Sequence, residues 1–309
     1  MANFTAQDRS YYNRSEFEMN RTSTSALLTS IYVSISALNI FLSIAASLGN
    51  AVILVALQKE TSLHPPTRLL FRSLAVTDLF AGLISQPLFA VSVMTRIIEM
   101  KFHNEGYIVT GFVLCGLSVL TSTAISVDRL LALLLGLRYR HVVTLRRTRA
   151  VIFCLSATGV SCGTMHFWHK NIAWIAVVIF GVFSLITSIF SYTLIYIRLQ
   201  QHHAQIRDYC YKGCQKGRRR IPLNIARYKK TVSSIAWMQM VLVACYLPYF
   251  VMSILRLSIT SNGKLIDVFY LAAVTQIYLN SSLNPILCCW KIREVRHAAK
   301  DTIRQVCRL

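Results

Sequence analysis

Seven stretches of this chain are apolar for about the length of a bilayer crossing, and no other feature limits the fold as strongly. They are Ile31–Leu57, Leu69–Val93, Tyr107–Leu135, Ala150–Phe167, Ile172–Ile197, Thr231–Leu257 and Leu265–Trp290. A hydrocarbon core about 30 Å thick takes about 20 residues of α-helix. Within it every backbone N–H and C=O must be paired inside the protein, and a helix does this within one segment. The predicted fold class is an all-α membrane protein, a seven-transmembrane-helix bundle with a C-terminal amphipathic surface helix. The fourth and fifth stretches are separated only by a turn around Trp168, His169, Lys170 and Asn171. Only 15% of residues are charged, against about 25% in a soluble domain.

The net charge of +21 is distributed in short blocks between the apolar runs. Such blocks face anionic lipid on the cytoplasmic side, so membrane lipids are expected partners and nucleic acid is not. The predicted inner segments hold Arg138, Arg140, Arg146, Arg147 and Arg149, then Arg218, Arg219 and Arg220; the outer ones hold little beyond Arg96, Lys101, Lys170 and Lys264. The expected location is the plasma membrane, multi-pass, with an extracellular N-terminus and a cytoplasmic C-terminus. Residues 1–30 form a polar tail without the pattern of a cleaved signal. The tail holds glycosylation acceptors at Asn3, Asn13 and Asn20. Residues 31–290 form the transmembrane domain. Residues 291–309 read as a cytoplasmic amphipathic helix and tail, with Ile292, Val295, Ala299, Ile303 and Val306 on one face. Cys307 at its end reads either as a palmitoylation site or as a free thiol. The nine cysteines are scattered, without a disulfide framework. No metal site is assigned, because Cys210 and Cys214 are only loosely spaced from His202 and His203.

Polar residues inside the apolar runs carry the functional signal. Asp128-Arg129 marks the point where the third run meets the membrane surface, since a charge at the bilayer centre costs about 2.5–3.5 kcal/mol or more. The pair is either a plain helix anchor or a switch that a partner protein opens. Deeper lie Asn50, Asp78, Ser118, Asn280, Ser281, Ser282 and Asn284. Two readings stand for this group. Its oxygens suit a small cation, sodium, near Asp78, or they form a hydrogen-bonded cluster that packs helices together. Pro248 and Pro285 each remove a helical hydrogen bond and are expected to kink their helices.

The motifs GNAVIL with Asn50, LAVTDL with Asp78, SVDRL with Asp128 and Arg129, CYLP with Pro248, and NSSLNPIL with Asn280, Asn284 and Pro285 occur in order along the whole chain. Together they resemble the rhodopsin-like class of G-protein-coupled receptors, nearest its melanocortin, adenosine, cannabinoid and lysophospholipid group. The resemblance implies a ligand-activated receptor and not an enzyme. It would pass a small-molecule, lipid or peptide signal from an unknown extracellular ligand to a heterotrimeric G protein. The implied switch residues are Asp128, Arg129, Tyr192, Tyr246, Pro248, Asn284 and Pro285; the implied sodium network is Asn50, Asp78, Ser118, Asn280, Ser281 and Asn284. The implied pocket is Phe89, Gly111, Phe112, Cys115, Tyr249, Phe250, Ser253, Val274 and Tyr278, although for any one aromatic plain packing is the simpler reading.

Several positions depart from the class. Tyr246 replaces its tryptophan, Cys288 a tyrosine, and Tyr228 an acid that would hold Arg129. Asn104 replaces the disulfide cysteine, so no bridge to Cys162 is predicted. Gly111 stands where amine receptors carry an aspartate and Tyr278 where retinal proteins carry a lysine, so a lipid or small neutral ligand is favoured. The competing classes are a transporter or channel, which would want repeats or broken helices, and a membrane zinc enzyme, which would want clustered ligands.

Overall fold

In the computed structural model every described element is helical. The structure describes residues 6–59, 63–97, 105–214, 240–256 and 263–291, with the single positions Arg296, Ala299 and Arg304. Helix α1 spans Ala6–Lys59, α2 Pro65–Phe80, α3 Gln86–Thr95 and α4 Glu105–Leu135. A short α5, Tyr139–Val142, leads to α6, Leu145–Met165, and α7, Lys170–Cys214. The described part of α8 is Met240–Arg256, and α9 is Lys264–Lys291. Helices α2 and α3 are the two halves of one crossing, joined by a π-helical turn at Ala81–Ser85. α4 lies at the centre, against α2, α6 and α7, while α1 packs on α2, α3 and α9.

By length and apolarity alone, four described segments suffice to cross a membrane: Ser23–Lys59, Pro65–Thr95, Glu105–Val142 and Lys170–Arg198. The polarity of α6 and α9 has separate origins. α6 opens on Arg146, Arg147 and Arg149, whereas α9 buries Asn280, Ser281, Ser282 and Asn284 inside the bundle. The α7 surface shows the membrane pattern most clearly. Ile172, Ile175, Ile179, Phe183, Ile186 and Phe190 are exposed at helical spacing, while Ser184, Ser188 and Ser191 are buried. Small buried residues let helices approach closely in lipid, and Ser188 Oγ donates to Thr123 Oγ1 of α4 at 3.1 Å.

Two helices run on beyond the expected crossings. Residues 6–30, read as a separate tail, are helical and continuous with the first crossing, in a helix of 54 residues that is about 80 Å long. Asn13 and Asn20 therefore lie on helical backbone. The fifth crossing, expected to end at Ile197, continues as helix to Cys214, because Arg198–Tyr211 contains no glycine or proline to stop it. Asn3, Asn104, Tyr228, Cys307 and nearly all of the expected amphipathic segment lie outside the described residues.

Proline governs how α1 meets its neighbours. Pro285 sits inside unbroken α9 and has no N–H to give the Ser281 carbonyl one turn before it. Asn50 Nδ2 supplies that bond from α1, at 3.1 Å. Glycine at 49 makes the approach feasible, since a Cβ there would stand 2.9 Å from the Pro285 ring. The same device recurs in the second crossing. In the π-helical turn the Gln86 N–H bonds to the Ala81 carbonyl, so the next donor in register would be residue 87, which is proline. Ser43 Oγ of α1 donates to the orphaned Gly82 carbonyl instead, at 2.7 Å. The sequence reading placed its local irregularities at Pro248 and Pro285; both lie within continuous helix, and the π-helical turn lies ahead of Pro87.

Two apolar clusters fill the bundle. One gathers Phe89, Cys115, Val119, Tyr246, Tyr249 and Tyr278; the other gathers Leu57, Leu70, Leu74, Ile125 and Cys288. Along the second crossing and along α9, Asp78 and Ser281 fall between the residues given to the two clusters, and on α4 Ser118 joins this polar layer from between Cys115 and Val119 of the first cluster.

Candidate functional site

That polar layer is centred on Asp78, which is fully buried. Ser118 Oγ and Ser281 Oγ each donate to Asp78 Oδ1 at 2.8 Å, and Asn284 Nδ2 donates to Oδ2 at 2.7 Å. A buried carboxylate without such donors would cost several kcal/mol. Asn50 reaches the layer only through the Ser281 carbonyl. Asn280 is buried, but it is not one of the hydrogen-bond partners of Asp78. The structure thus gathers three of the other five network residues, Ser118, Ser281 and Asn284, around the Asp78 carboxylate and sets Asn50 and Asn280 outside its first contacts.

At the far end of α4, Asp128 holds Arg129. The Asp128 carboxylate accepts from Arg129 Nη2 at 2.6 Å, Thr67 Oγ1 at 3.0 Å and Tyr139 Oη at 2.6 Å. Arg129 Nη2 also donates to Thr67 Oγ1. Thr67 is placed by Pro65 and Pro66, which occupy the first turn of α2, where a missing N–H costs nothing. Arg129 keeps unused capacity: its Nε is buried and without a partner among the described residues. Tyr192 is half-buried on α7 and is not among the groups that hold Arg129. Thr67 and Tyr139 were not singled out by sequence reasoning, because a lone threonine and a lone tyrosine at a membrane end carry no pattern. Just beyond the latch, Gly136 has φ +49°, a conformation that favours glycine. It is followed by Leu137, which is 96% exposed.

The other half of the bundle encloses a cavity of about 90 Å³. Of the nine predicted pocket residues, Gly111, Phe112, Cys115, Tyr249, Phe250, Val274 and Tyr278 line it. Phe89 and Ser253 do not: Phe89 is buried behind the wall, with ring centroids 6.1 Å from Tyr107 and 5.5 Å from Tyr278, and Ser253 is fully buried. Sequence reasoning missed Tyr107, Tyr270, Cys162 and Phe180, which also line the cavity. Tyr246 lies at its wall and donates to the Cys115 carbonyl at 3.1 Å. The hydroxyls of Tyr278 and Ser85 are 2.7 Å apart, beside the π-helical turn. None of the lining residues is Asp, Glu, Lys, Arg or His. Pro248 is half-buried on α8 between lining residues Tyr246 and Tyr249.

A second missed group closes this end. Glu105, the first residue of α4, meets His166 Nε2 at 2.7 Å and Lys170 Nζ at 2.5 Å. It ties α4 to the α6–α7 turn across the junction where the resemblance implies a disulfide elsewhere in the class. Cys162 is buried with a free thiol, and burial accompanies the same status at Cys115, Cys245 and Cys288.

Comparison with known proteins places these features in a family. The family described as 7 transmembrane receptor (rhodopsin family) matches residues 49–172 and 158–287. Melanocortin receptor 5 of Mus musculus is 24% identical over 291 residues, covering 87% of this chain and 85% of its own length. Melanocortin receptor 4 of Danio rerio is 23% identical, with 84% and 81% covered. The Histamine H2 receptor of Cavia porcellus is 26% identical, with 86% and 78% covered. Seven crossings, a buried carboxylate layer and an arginine latch thus accompany a family match along most of the chain. The chain belongs to the rhodopsin family of seven-transmembrane receptors: it is a multi-pass membrane protein of the G-protein-coupled class, and not an enzyme.

Proposed function

We propose that this receptor responds to a small, neutral, largely apolar extracellular ligand bound in the cavity among α4, α7, α8 and α9. It transmits the signal to a heterotrimeric G protein at the Arg129 end. The cavity end then faces outward and the latch end faces the cytoplasm, in agreement with the basic blocks near Arg138–Arg149. The observation that carries the reading is the wall of the cavity, aromatic and apolar without one charged side chain. One relative is named for histamine, an amine. A cationic amine buried in this cavity would be unpaired, and an isolated buried charge is strongly disfavoured. Gly111, where a counterion would stand, instead lies near Ser85 Oγ and Tyr278 Oη, each 3.7 Å from a Cβ built there.

Two side chains lead from the cavity toward the polar layer. Tyr246 holds the α4 backbone at Cys115, one turn from Ser118, and Tyr278 on α9 lies one turn from Ser281. Both serines donate to Asp78, so a ligand that displaces either tyrosine loads the carboxylate layer between cavity and latch. The carboxylate and the two hydroxyls are hard oxygen donors that fit a sodium ion, and an ion held there would stabilise one arrangement of the layer. At the latch end, exposed Leu137 offers an apolar contact to the G protein, and the partly exposed Arg129 a charged one once it leaves Asp128.

The test is G-protein recruitment in cells, screened with neutral lipids and small aromatics against cationic amines and peptides. Neutral compounds should activate the receptor. Arg129→Ala should abolish the response while surface expression holds. Activation confined to cationic amines or peptides would overturn the ligand assignment; full recruitment by Arg129→Ala would remove the latch from the mechanism.

A further inference from the structure

The cavity has one wall unlike the others. On α7 its lining includes Val177, Phe180 and Gly181, and on α6 it includes Thr158, Gly159 and Cys162. Phe180 lines the cavity and is also 44% exposed on the outside of the bundle. Thr158 and Val177 at the same wall are half-buried. The neighbouring outward residues are Phe153, Val160, Ile179 and Phe183, all large, apolar and exposed. In a membrane protein such a surface faces lipid. α6 and α7 pack mainly on α4 and touch each other less. Phe180, flanked by Thr158 and Val177, therefore stands between the cavity and the bilayer.

At the opposite, loop-facing end, side chains of the described residues bind one another. Trp174 stacks on Tyr249, with ring centroids 6.2 Å apart, and lies 6.0 Å from Tyr270. The guanidinium of Arg256 sits 4.5 Å above the Tyr270 ring and pairs with Asp267 at 2.9 Å. On the other flank the Glu105–His166–Lys170 group pins the start of α4, and Phe112 meets both His166 and Trp174 edge-on at 5.7 Å. These residues come from the ends of five helices and bind one another across the opening.

We infer that the ligand reaches the cavity sideways from the bilayer, between α6 and α7 past Phe180, and that it belongs to the class of uncharged, lipid-soluble molecules bearing at most a hydroxyl or carbonyl. The inference rests on reading the cavity as the ligand site. Passage through hydrocarbon excludes a charged group, which costs about 2.5–3.5 kcal/mol or more at the bilayer centre. The cavity imposes the same condition independently, because its lining offers no counterion. A volume of about 90 Å³ exceeds the roughly 10–15 Å³ needed for one water several times over, which gives room for a compact apolar molecule. The Tyr246 hydroxyl donates to Cys115, so its lone pairs remain to accept from a ligand hydroxyl.

The experiment uses the whole receptor in lipid vesicles and the neutral bilayer-partitioning photolabel 3-trifluoromethyl-3-(m-iodophenyl)diazirine. The label is mixed in, photolysed after increasing delays, and mapped by mass spectrometry. Phe112 and Cys115 report the cavity; Phe153 and Phe183 report the lipid-facing surface. Interior labelling should appear in the unaltered protein. Its rate should rise several-fold in Phe180→Ala and fall several-fold in Phe180→Trp, at unchanged surface labelling. Arg256→Ala, which removes the guanidinium over Tyr270 at the other end without touching the lining, should leave the rate unchanged. A rate insensitive to both Phe180 variants, or raised by Arg256→Ala, would overturn the sideways route and leave the cavity reading intact. Surface labelling without any interior labelling would overturn the cavity reading and the route with it.

Discussion

Asn50 is expected to matter because of a proline on another helix. Pro285 leaves the Ser281 carbonyl without its helical donor, and Asn50 Nδ2 fills the gap at 3.1 Å. Asn50→Ala bares that carbonyl in a buried site. Leaving a buried acceptor unsatisfied costs about 1–3 kcal/mol, and interhelical hydrogen bonds in membranes average about 0.6 and reach about 1.7 kcal/mol. A loss of about 1–2 kcal/mol follows. The second bond of Asn50, to the Ala46 carbonyl at 2.8 Å, adds less, because that carbonyl also lies within reach of its own helix's N–H. At about 2–4 °C per kcal/mol for chains of 150–250 residues, the melting point should drop by roughly 2–8 °C. Pro285→Ala returns an N–H to position 285. In that background Asn50→Ala should cost less than about 0.5 kcal/mol, the limit within which uncoupled sites add. Unfolding can be followed with a thiol-reactive dye, since Cys115, Cys245 and Cys288 are buried and free. Equal melting shifts from Asn50→Ala in both backgrounds would refute the reasoning, since they would show that the amide does not replace the proline's missing donor.

Four other outcomes are expected. A Cβ at Gly181 would stand 2.0 Å from Phe250 Cζ, so Gly181→Ala should destabilise the receptor by about 1–3 kcal/mol, and Phe250→Leu should recover much of the loss in the same thermal assay. Sodium should weaken agonist binding, and Asp78→Asn should abolish the effect; identical agonist affinity with and without sodium in the unaltered protein would remove the cation from the proposal. Leu137→Ala should lower G-protein recruitment at unchanged ligand affinity, as read by paired binding and recruitment assays, because that side chain is 96% exposed and supports nothing inside the bundle. Burial, more than the nearby Arg140 and Arg129, holds the His64 imidazole below its ordinary value of 6.5. The unfolded chain then binds more protons just below that value, so melting temperature should fall as pH drops through the imidazole range. His64→Phe should flatten that dependence.

Much of the bundle was legible because lipid leaves few choices. Long apolar runs must become helices, and Asp78, Ser118 and Asn284 had to turn inward to find partners. What escaped the sequence depended on neighbours from distant segments. The helical course of residues 6–30 and of Arg198–Cys214 was hidden by polarity, which marks solvent contact and says nothing against a helix. The π-helical turn ahead of Pro87 went unread, because only the Gly82 carbonyl and Ser43 together reveal its use. Seven of the nine pocket residues implied by the resemblance line the cavity, whereas Phe89 and Ser253 are buried off it by a margin that spacing along a helix cannot resolve. Glu105 meets His166 and Lys170 from a distant place in the chain, and no local motif connects the two segments.

The first crossing lends donors to two other crossings, through Ser43 to Gly82 and through Asn50 to Ser281. It therefore behaves as a splint whose grip is chemical as well as steric. A receptor split after Lys59 should regain its fold when the two pieces are made together. The piece lacking α1 should be cleared by quality control on its own, with two bare carbonyls in a medium that holds no water to cover them.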